Sequence, residues 1–248
     1  MDLDLRNKIV FITGASSGIG AAAAQIFSAE GADVVVSYGS NLAGAEQTAA
    51  KVRAYGRNAW LCRMDVSDPA GVKAAVHALP SEIHGLDALV LCAGLSLHAA
   101  LAEITPEEWQ RVLDVNLSGA FYVLQAVTPL LRDGGSVVMV SSVSAQTGVA
   151  HQAHYAAAKA GLVNLSKSAA RLLAPRIRVN CVTPGLTLTP MGRETIATLE
   201  HDYAKNKMLL QRYATPEEIA KVIVFLASPA TSYMTGATVD VNGGRDLR

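Results

Sequence analysis

The chain is 248 residues long, half of them apolar, with 21 basic and 21 acidic side chains and no formal net charge. A zero balance without a basic run gives no electrostatic footprint for a nucleic-acid partner, and the apolar half excludes disorder. No apolar run approaches the ~20 residues of a membrane-spanning helix. The opening MDLDLRNKIV carries acidic residues first and shows neither the basic start nor the small-residue cleavage site expected of a leader, and the odd set Cys62, Cys92 and Cys181 fits buried thiols in a reducing cytoplasm.

In chain order, residues 8–12 (KIVFI) are apolar on both sides, as a strand covered on both faces should be. A helix is predicted at 18–29, a strand at 33–37, a helix at 41–55, a strand at 59–63, a helix at 69–79 and a strand at 86–91. A long helix at 106–131 follows, then a strand at 136–140, a helix at 151–173, a strand at 177–182, a helix at 216–227 and a short strand at 237–241. Three helix starts are written out: Asp68-Pro69, Thr105-Pro106-Glu107-Glu108 and Thr215-Pro216-Glu217-Glu218 each place a capping side chain before proline at the first helical position. Alternation of strand and helix throughout predicts one doubly wound α/β domain on a mainly parallel sheet, with helices on both faces. The stretch 185–213 has no strand and reads as a lid over a site.

Residues 13–20, Thr-Gly-Ala-Ser-Ser-Gly-Ile-Gly, lie between the first strand and the first helix. Glycines there let the backbone approach a pyrophosphate that faces the helix N-terminus, which puts Gly14, Ser16, Ser17, Gly18, Ile19 and Gly20 in contact with a dinucleotide. A tight turn without a ligand is the alternative. NAD-binding versions of this arrangement tend to carry an acid at the end of the second strand. Here the chain reads Ser37-Tyr38-Gly39-Ser40-Asn41, with neither acid nor base. NADP(H) is therefore favoured, with Ser37, Tyr38, Ser40 and Asn41 at the adenosine end, and NAD(H) is the alternative.

Tyr155 and Lys159 share one face at i and i+4, about 6 Å apart along a helix axis. A free tyrosine, with a pKa near 10, is a poor acid at neutral pH, and a neighbouring ammonium favours its phenolate. Tyr203 and Lys207 have the same spacing. Only Tyr155 has a serine upstream at a strand end, Ser142, whose hydroxyl can bond a substrate carbonyl oxygen. The second pair reads as a solvated helix face. His98, His151 and His154 lie near the site without metal-ligand spacing; they are expected to line its mouth or face solvent, and no metal is expected.

In this order, the glycine turn, Asp65-Val66, Cys92-Ala93-Gly94, Asn116, Ser142, Tyr155 with Lys159, and Pro184-Gly185 resemble the short-chain dehydrogenase/reductase family over essentially the whole chain. The nearest type is the 3-oxoacyl-carrier-protein reductase. The resemblance implies a single Rossmann-type domain over 1–248 with a seven-stranded sheet. It implies Tyr155 as general acid, Lys159 lowering its pKa and bonding the nicotinamide ribose, Ser142 holding the substrate oxygen, and Asn116 anchoring a relay water. It also assigns Asp65 to the adenine amine with Val66 beside it, Cys92, Ala93 and Gly94 to the adenosine ribose, and Pro184, Gly185, Thr187 and Thr189 to the nicotinamide. Two positions depart from the family pattern: Cys92 stands where asparagine is usual, and Ser17 where NADP-preferring members often carry a base. Enoyl reductases of the superfamily have a wider Tyr–Lys spacing than this chain.

The function expected is NADP(H)-dependent reduction of a β-ketoacyl or related carbonyl compound to a secondary alcohol, in the cytoplasm, by a homotetramer. The alternatives are an NAD-dependent dehydrogenase of a sugar, polyol or steroid alcohol, and a cofactor-sensing regulator, which the retained Ser142, Tyr155 and Lys159 argue against. Leu95, Leu97, Val143, Val149, Leu186, Leu188 and Met191 predict a largely apolar substrate pocket. The expected partner is a small carbonyl or alcohol substrate, with no nucleic acid and no membrane.

Overall fold

A computed structural model describes residues 3–247; Met1 and Asp2 of the stretch read for a leader, and Arg248, lie outside the described residues. The first half runs β1 (Ile9–Ile12), α1 (Gly18–Ala29), β2 (Asp33–Tyr38), α2 (Leu42–Ala54), β3 (Ala59–Arg63), α3 (Pro69–His77) and β4 (Leu86–Leu91). The second runs α4 (Pro106–Leu113), α5 (Gly119–Val127), β5 (Leu131–Val140), α6 (Ser144–Thr147), α7 (Ala153–Leu173), β6 (Arg178–Pro184), α8 (Pro190–Ile196), α9 (Tyr203–Lys207), α10 (Pro216–Ala227) and β7 (Thr238–Val241). The strands form one seven-stranded sheet in the order β3-β2-β1-β4-β5-β6-β7, every pairing parallel.

Successive strand residues enter opposite cores, which is why the strands read as continuous apolar runs. Val10, Ile12, Val34, Val36 and Val90 pack with α1, α2 and α10 on one face. Phe11, Val35, Leu89, Leu91 and Met139 pack with α3, α5 and α7 on the other. The helix starts form as their sequences require. Asp68 accepts a hydrogen bond from the Ala70 amide, and Thr105 and Thr215 close full capping boxes with Glu108 and Glu218.

Two elements differ from the sequence expectation. The helix predicted at 106–131 is divided into α4, a π-helical turn at Asp114–Ser118, α5 and a short 3-10 turn at Thr128–Leu130. Asn116 accounts for the π turn: its side-chain amide donates to the Val112 carbonyl at 2.9 Å, taking an acceptor that the regular ladder would use. Leu131 is the first residue of β5, which begins five residues before the predicted start at 136. The early start is held by Asp87, whose carboxylate accepts from the Ile9 amide (2.8 Å) and from Arg132 (2.7 Å), beside a register shift between Leu86 and Ala88. Residues 185–213 contain no named strand, as expected; they carry α8 and α9, and an isolated bridge joins Thr187 to Ala214.

Arg178, at the start of β6, gathers the end of α10. Its guanidinium donates to the carbonyls of Leu226 (3.0 Å) and Ser228 (3.0 Å) and to the Thr231 hydroxyl (2.8 Å), and burial lowers its pKa. Replacing it removes a charged donor from these groups, leaving the Leu226 carbonyl to Ser136 and Thr231 and the Ser228 carbonyl to Thr231. Arg178→Met should cost about 1–3 kcal/mol in urea unfolding, the loss of charge-assisted bonds; a change under about 0.5 kcal/mol would mean that Ser136 and Thr231 hold the end of α10 without it.

Candidate active site

At the carboxyl edge of the sheet, where the strand order reverses between β1 and β4, a cavity of about 740 Å³ runs from the ends of β2 and β3 to α8 and α9. Every site residue expected from the sequence lines it except Asn116, which is 1 % exposed and lies behind the wall.

The turn between β1 and α1 passes very close to the end of β4. A Cβ on Gly14 would lie 2.9 Å from Ala93 Cα, and Gly14 has a φ of +66°, so this position accepts only glycine. A Cβ on Gly20 would meet the Gly14 carbonyl oxygen. Thr13 sets the approach: its hydroxyl accepts from the amides of Cys92 (2.9 Å) and Ala93 (3.1 Å). This link between β1 and β4 is made by Thr13 and the backbone, so it survives a thiol at position 92. Ser17, the residue before α1, makes no side-chain cap, which leaves the Gly18 and Ile19 amides open to a ligand while the Gly20 amide faces the Cys92 thiol. Farther along, Ser37 Oγ is buried and has no hydrogen-bond partner, and Asp65 accepts from the amide (2.9 Å) and hydroxyl (2.6 Å) of Ser67, which lower its pKa. A cradle without side chains, an uncapped helix end and an orphaned hydroxyl together fit a dinucleotide.

The proton-handling groups converge at the middle of the cavity. α7 carries Tyr155 and Lys159 in its first two turns, and Lys159 Nζ lies 5.6 Å from the Tyr155 ring centroid. The tyrosine hydroxyl faces the Ser142 side chain, just beyond β5, and Ser142 Oγ accepts from Ser144 Oγ at 2.9 Å. Lys159 Nζ donates to the Val140 carbonyl at 3.0 Å, while its own carbonyl accepts from Ser141 Oγ at 2.7 Å. Asn116 spends its amide on the backbone of Leu95 and Val112, with bonds of 3.2, 2.7 and 2.9 Å.

The electrostatics differ from the expectation that Lys159 lowers the tyrosine pKa. Burial pushes Tyr155 up to about 12, with the neighbouring Ser142 side chain acting the other way. Burial also brings Lys159 down to about 8. In the chain by itself desolvation of both groups outweighs their mutual effect. Burial likewise pushes Cys92 and Cys181, both facing Lys159, up to about 11, so neither is a thiolate at neutral pH.

At the substrate end, Gln152 is 5 % exposed, and its side chain is taken up by neighbours rather than capping α7. Its amide nitrogen donates to Ser96 Oγ (2.6 Å) and lies 2.9 Å from His98 Nε2, which is 3.2 Å from Thr195 Oγ1 on α8. Residue spacing gives no sign of this line, which joins the segment after β4 to the lid. Leu95, Val143, Val149, Leu186 and Met191 line the cavity, whereas Leu97 and Leu188 do not. His154 corrects its expectation: it is fully buried, and neither ring nitrogen has a hydrogen-bond partner. Its side chain points into the fold rather than toward the mouth. Tyr203 lines the cavity, so the second Tyr–Lys pair is not wholly on a solvated face, but no strand-end serine faces it.

The Lys159 shift has a consequence for stability. Its pKa is lowered on folding from 10.5 to about 8, so below pH 8 the folded chain carries a buried ammonium at a cost of about 3 kcal/mol. The cost fades as pH rises from 8 toward 10.5. Without dinucleotide, Lys159→Met should therefore melt higher than the parent chain at pH 7, and the gap should narrow steadily up to pH 10. A gap independent of pH would contradict the shift.

Comparison with known proteins agrees with this geometry. A family model described as enoyl-(acyl carrier protein) reductase matches residues 14–246. The 3-oxoacyl-[acyl-carrier-protein] reductase of Thermotoga maritima is 39 % identical, over 97 % of this chain and 98 % of that protein. A crystal structure from Brucella melitensis, titled short-chain dehydrogenase/reductase and glucose/ribitol dehydrogenase, superposes with a TM-score of 0.94 at 35 % identity and covers 100 % of both chains. A short-chain dehydrogenase from Burkholderia cenocepacia in complex with NADP has a TM-score of 0.92 at 33 % identity, covering 98 % of this chain and 99 % of that one. The chain belongs to the short-chain dehydrogenase/reductase family of oxidoreductases.

Proposed function

We propose that this enzyme reduces a ketone, of β-ketoacyl or related type, to a secondary alcohol with NADP(H). The observation that carries the reading is the placement of Tyr155 and Ser142 side by side in the same cavity as the glycine turn, with the Lys159 ammonium beneath the tyrosine ring. The bound dinucleotide supplies the hydride. Ser142 donates to the substrate oxygen and fixes its position. Tyr155 gives its proton to that oxygen as negative charge develops there. Because burial opposes the phenolate left behind, the fixed positive charge of Lys159 becomes the group that stabilises it. Asn116 works through Leu95 and the π turn, holding the wall beside Lys159 where the proton relay is assigned. Gly14, Ser16, Ser17, Gly18, Ile19 and Gly20 hold the pyrophosphate; Ser37, Tyr38, Ser40, Asn41, Asp65, Val66, Cys92, Ala93 and Gly94 hold the adenosine; and Pro184, Gly185, Thr187 and Thr189 hold the nicotinamide.

The Thermotoga relative supports the ketoacyl reading, and the NADP-bound Burkholderia structure supports the cofactor. The four-residue Tyr–Lys spacing favours ketone over enoyl reduction. A second reading, oxidation of a sugar or polyol, is favoured by the likeness to the Brucella glucose/ribitol dehydrogenase and by the polar line through Gln152, Ser96 and His98. Turnover of a β-ketoacyl thioester with NADPH, set against glucose and ribitol with NADP, separates the two.

We take 1–248 as one domain with 185–213 as its lid, residing in the cytoplasm; three free thiols and the lack, among the described residues, of a helix able to cross a membrane support that placement. Exposed Trp109 on α4, Phe121 on α5 and Leu172 on α7 support a homotetramer packed through these helices, and a monomeric mass by light scattering would reject it. Tyr155→Phe should lower kcat about 10³-fold, within the range for loss of a positioned acid, while NADPH affinity by fluorescence titration stays within about threefold. Retained turnover would move the proton donor elsewhere.

A further inference from the structure

Resting on NADP(H) as the cofactor, we propose that Arg63 reads the 2′-phosphate. The chain has serine at position 17 and glycine at 39, so neither the first turn nor the end of β2 offers a cation. Four cationic side chains line the cavity: Arg63, Arg111, Lys159 and Arg245. Lys159 is engaged with Val140 beside Tyr155, and Arg245 pairs with Asp246 at the C-terminal turn. Arg63 and Arg111 have no hydrogen-bond or ion-pair partner among the described residues.

Strand register separates these two. Arg63 is the last residue of β3 and pairs directly with Tyr38, the last residue of β2. Tyr38 and Ala59 belong to the core that faces α1 and α2, and the period of two places Arg63 on that same face. The start of α2 lies there too: Ser40 lines the cavity, and Asn41 caps the helix through its Oδ1, which leaves its amide hydrogens free. Arg111 lies on α4, which packs with α7 on the opposite face. The carboxylate nearest to Arg63 in sequence, Asp65, is held by Ser67 and so does not claim the guanidinium. An exposed guanidinium, a serine hydroxyl, a free amide and the positive end of a thirteen-residue helix thus converge beside the residues assigned to the adenosine ribose. A phosphate monoester is the ligand this set recognises, and arginine binds it through two parallel hydrogen bonds.

Fluorescence titration of NADPH and NADH, with competition by adenosine 2′,5′-bisphosphate and 5′-AMP, tests the assignment without turnover. Arg63→Ala should raise the NADPH and bisphosphate dissociation constants at least tenfold and leave NADH and 5′-AMP within twofold. Arg63→Lys should recover part of the loss, and an unchanged melting temperature excludes a folding defect. Arg111→Ala should leave the preference for the 2′-phosphate intact. The proposal is overturned if Arg63→Ala keeps the parent preference, if it weakens both dinucleotides alike, or if Arg111→Ala removes the preference instead. A parent chain that binds neither dinucleotide would sink the proposed function itself, an outcome distinct from any of these.

Discussion

The site depends on one close backbone approach, between the turn after β1 and the end of β4. Gly14 and Ala93 come so near that no side chain fits between them, and the Thr13 hydroxyl holds two successive amides of the β4 segment. This contact lies where the sheet reverses its strand order, so it fixes the two halves of the crevice relative to each other. The α1 end, Cys92–Gly94 and, through Leu95, Asn116 all take their positions from it. A side chain at Gly14 would separate the glycine turn from the wall that carries the proton-handling groups. The contact is entirely backbone and hydroxyl, which is why an otherwise typical site tolerates cysteine at position 92.

The second constraint is the buried ammonium of Lys159. A lysine almost wholly removed from water is costly, and nothing in the isolated chain neutralises it: its bond is to the Val140 carbonyl, and no carboxylate pairs with it among the described residues. Tyr155 bears the matching penalty, since burial disfavours its phenolate. Two groups that each resist their charged (lysine) or ionised (tyrosine) form, fixed on one helix face, form a pair in which a proton leaving one is compensated by the charge of the other. The destabilisation is the physical form of a site prepared for a charge that exists only during reaction.

Much of this was legible in the sequence because it depends on local rules. The helix starts at Asp68, Thr105 and Thr215 follow from capping chemistry and proline, and the strands follow from runs covered on both faces. The glycine turn and the Tyr155–Lys159 spacing gave the candidate site. What escaped depends on side chains answering distant backbone. The π turn arises because Asn116 takes the Val112 carbonyl, and the early start of β5 because Asp87 reaches Arg132 across the sheet. Residues 131–135, Leu-Arg-Asp-Gly-Gly, carry no strand signal of their own. The burial of His154 was hidden too, since an i−1 neighbour of Tyr155 could equally have faced the mouth.

Zero net charge and a cofactor bearing several negative charges are compatible because charge here is sorted by place. Away from the crevice, Arg57, Arg132, Arg176 and Arg212 each meet a carboxylate, and those pairs cancel in the total. Inside the crevice the one carboxylate among the lining residues, Asp65, is occupied by Ser67, while Arg63 and Arg111 stand free. The lining of the crevice as a whole is therefore net positive although the chain is neutral. A phosphate is sensed within roughly a Debye length, about 10 Å, so this local arrangement, and not the total, governs what the site attracts. Recognition of the dinucleotide needs no basic protein, only cations left unpaired where the sheet opens.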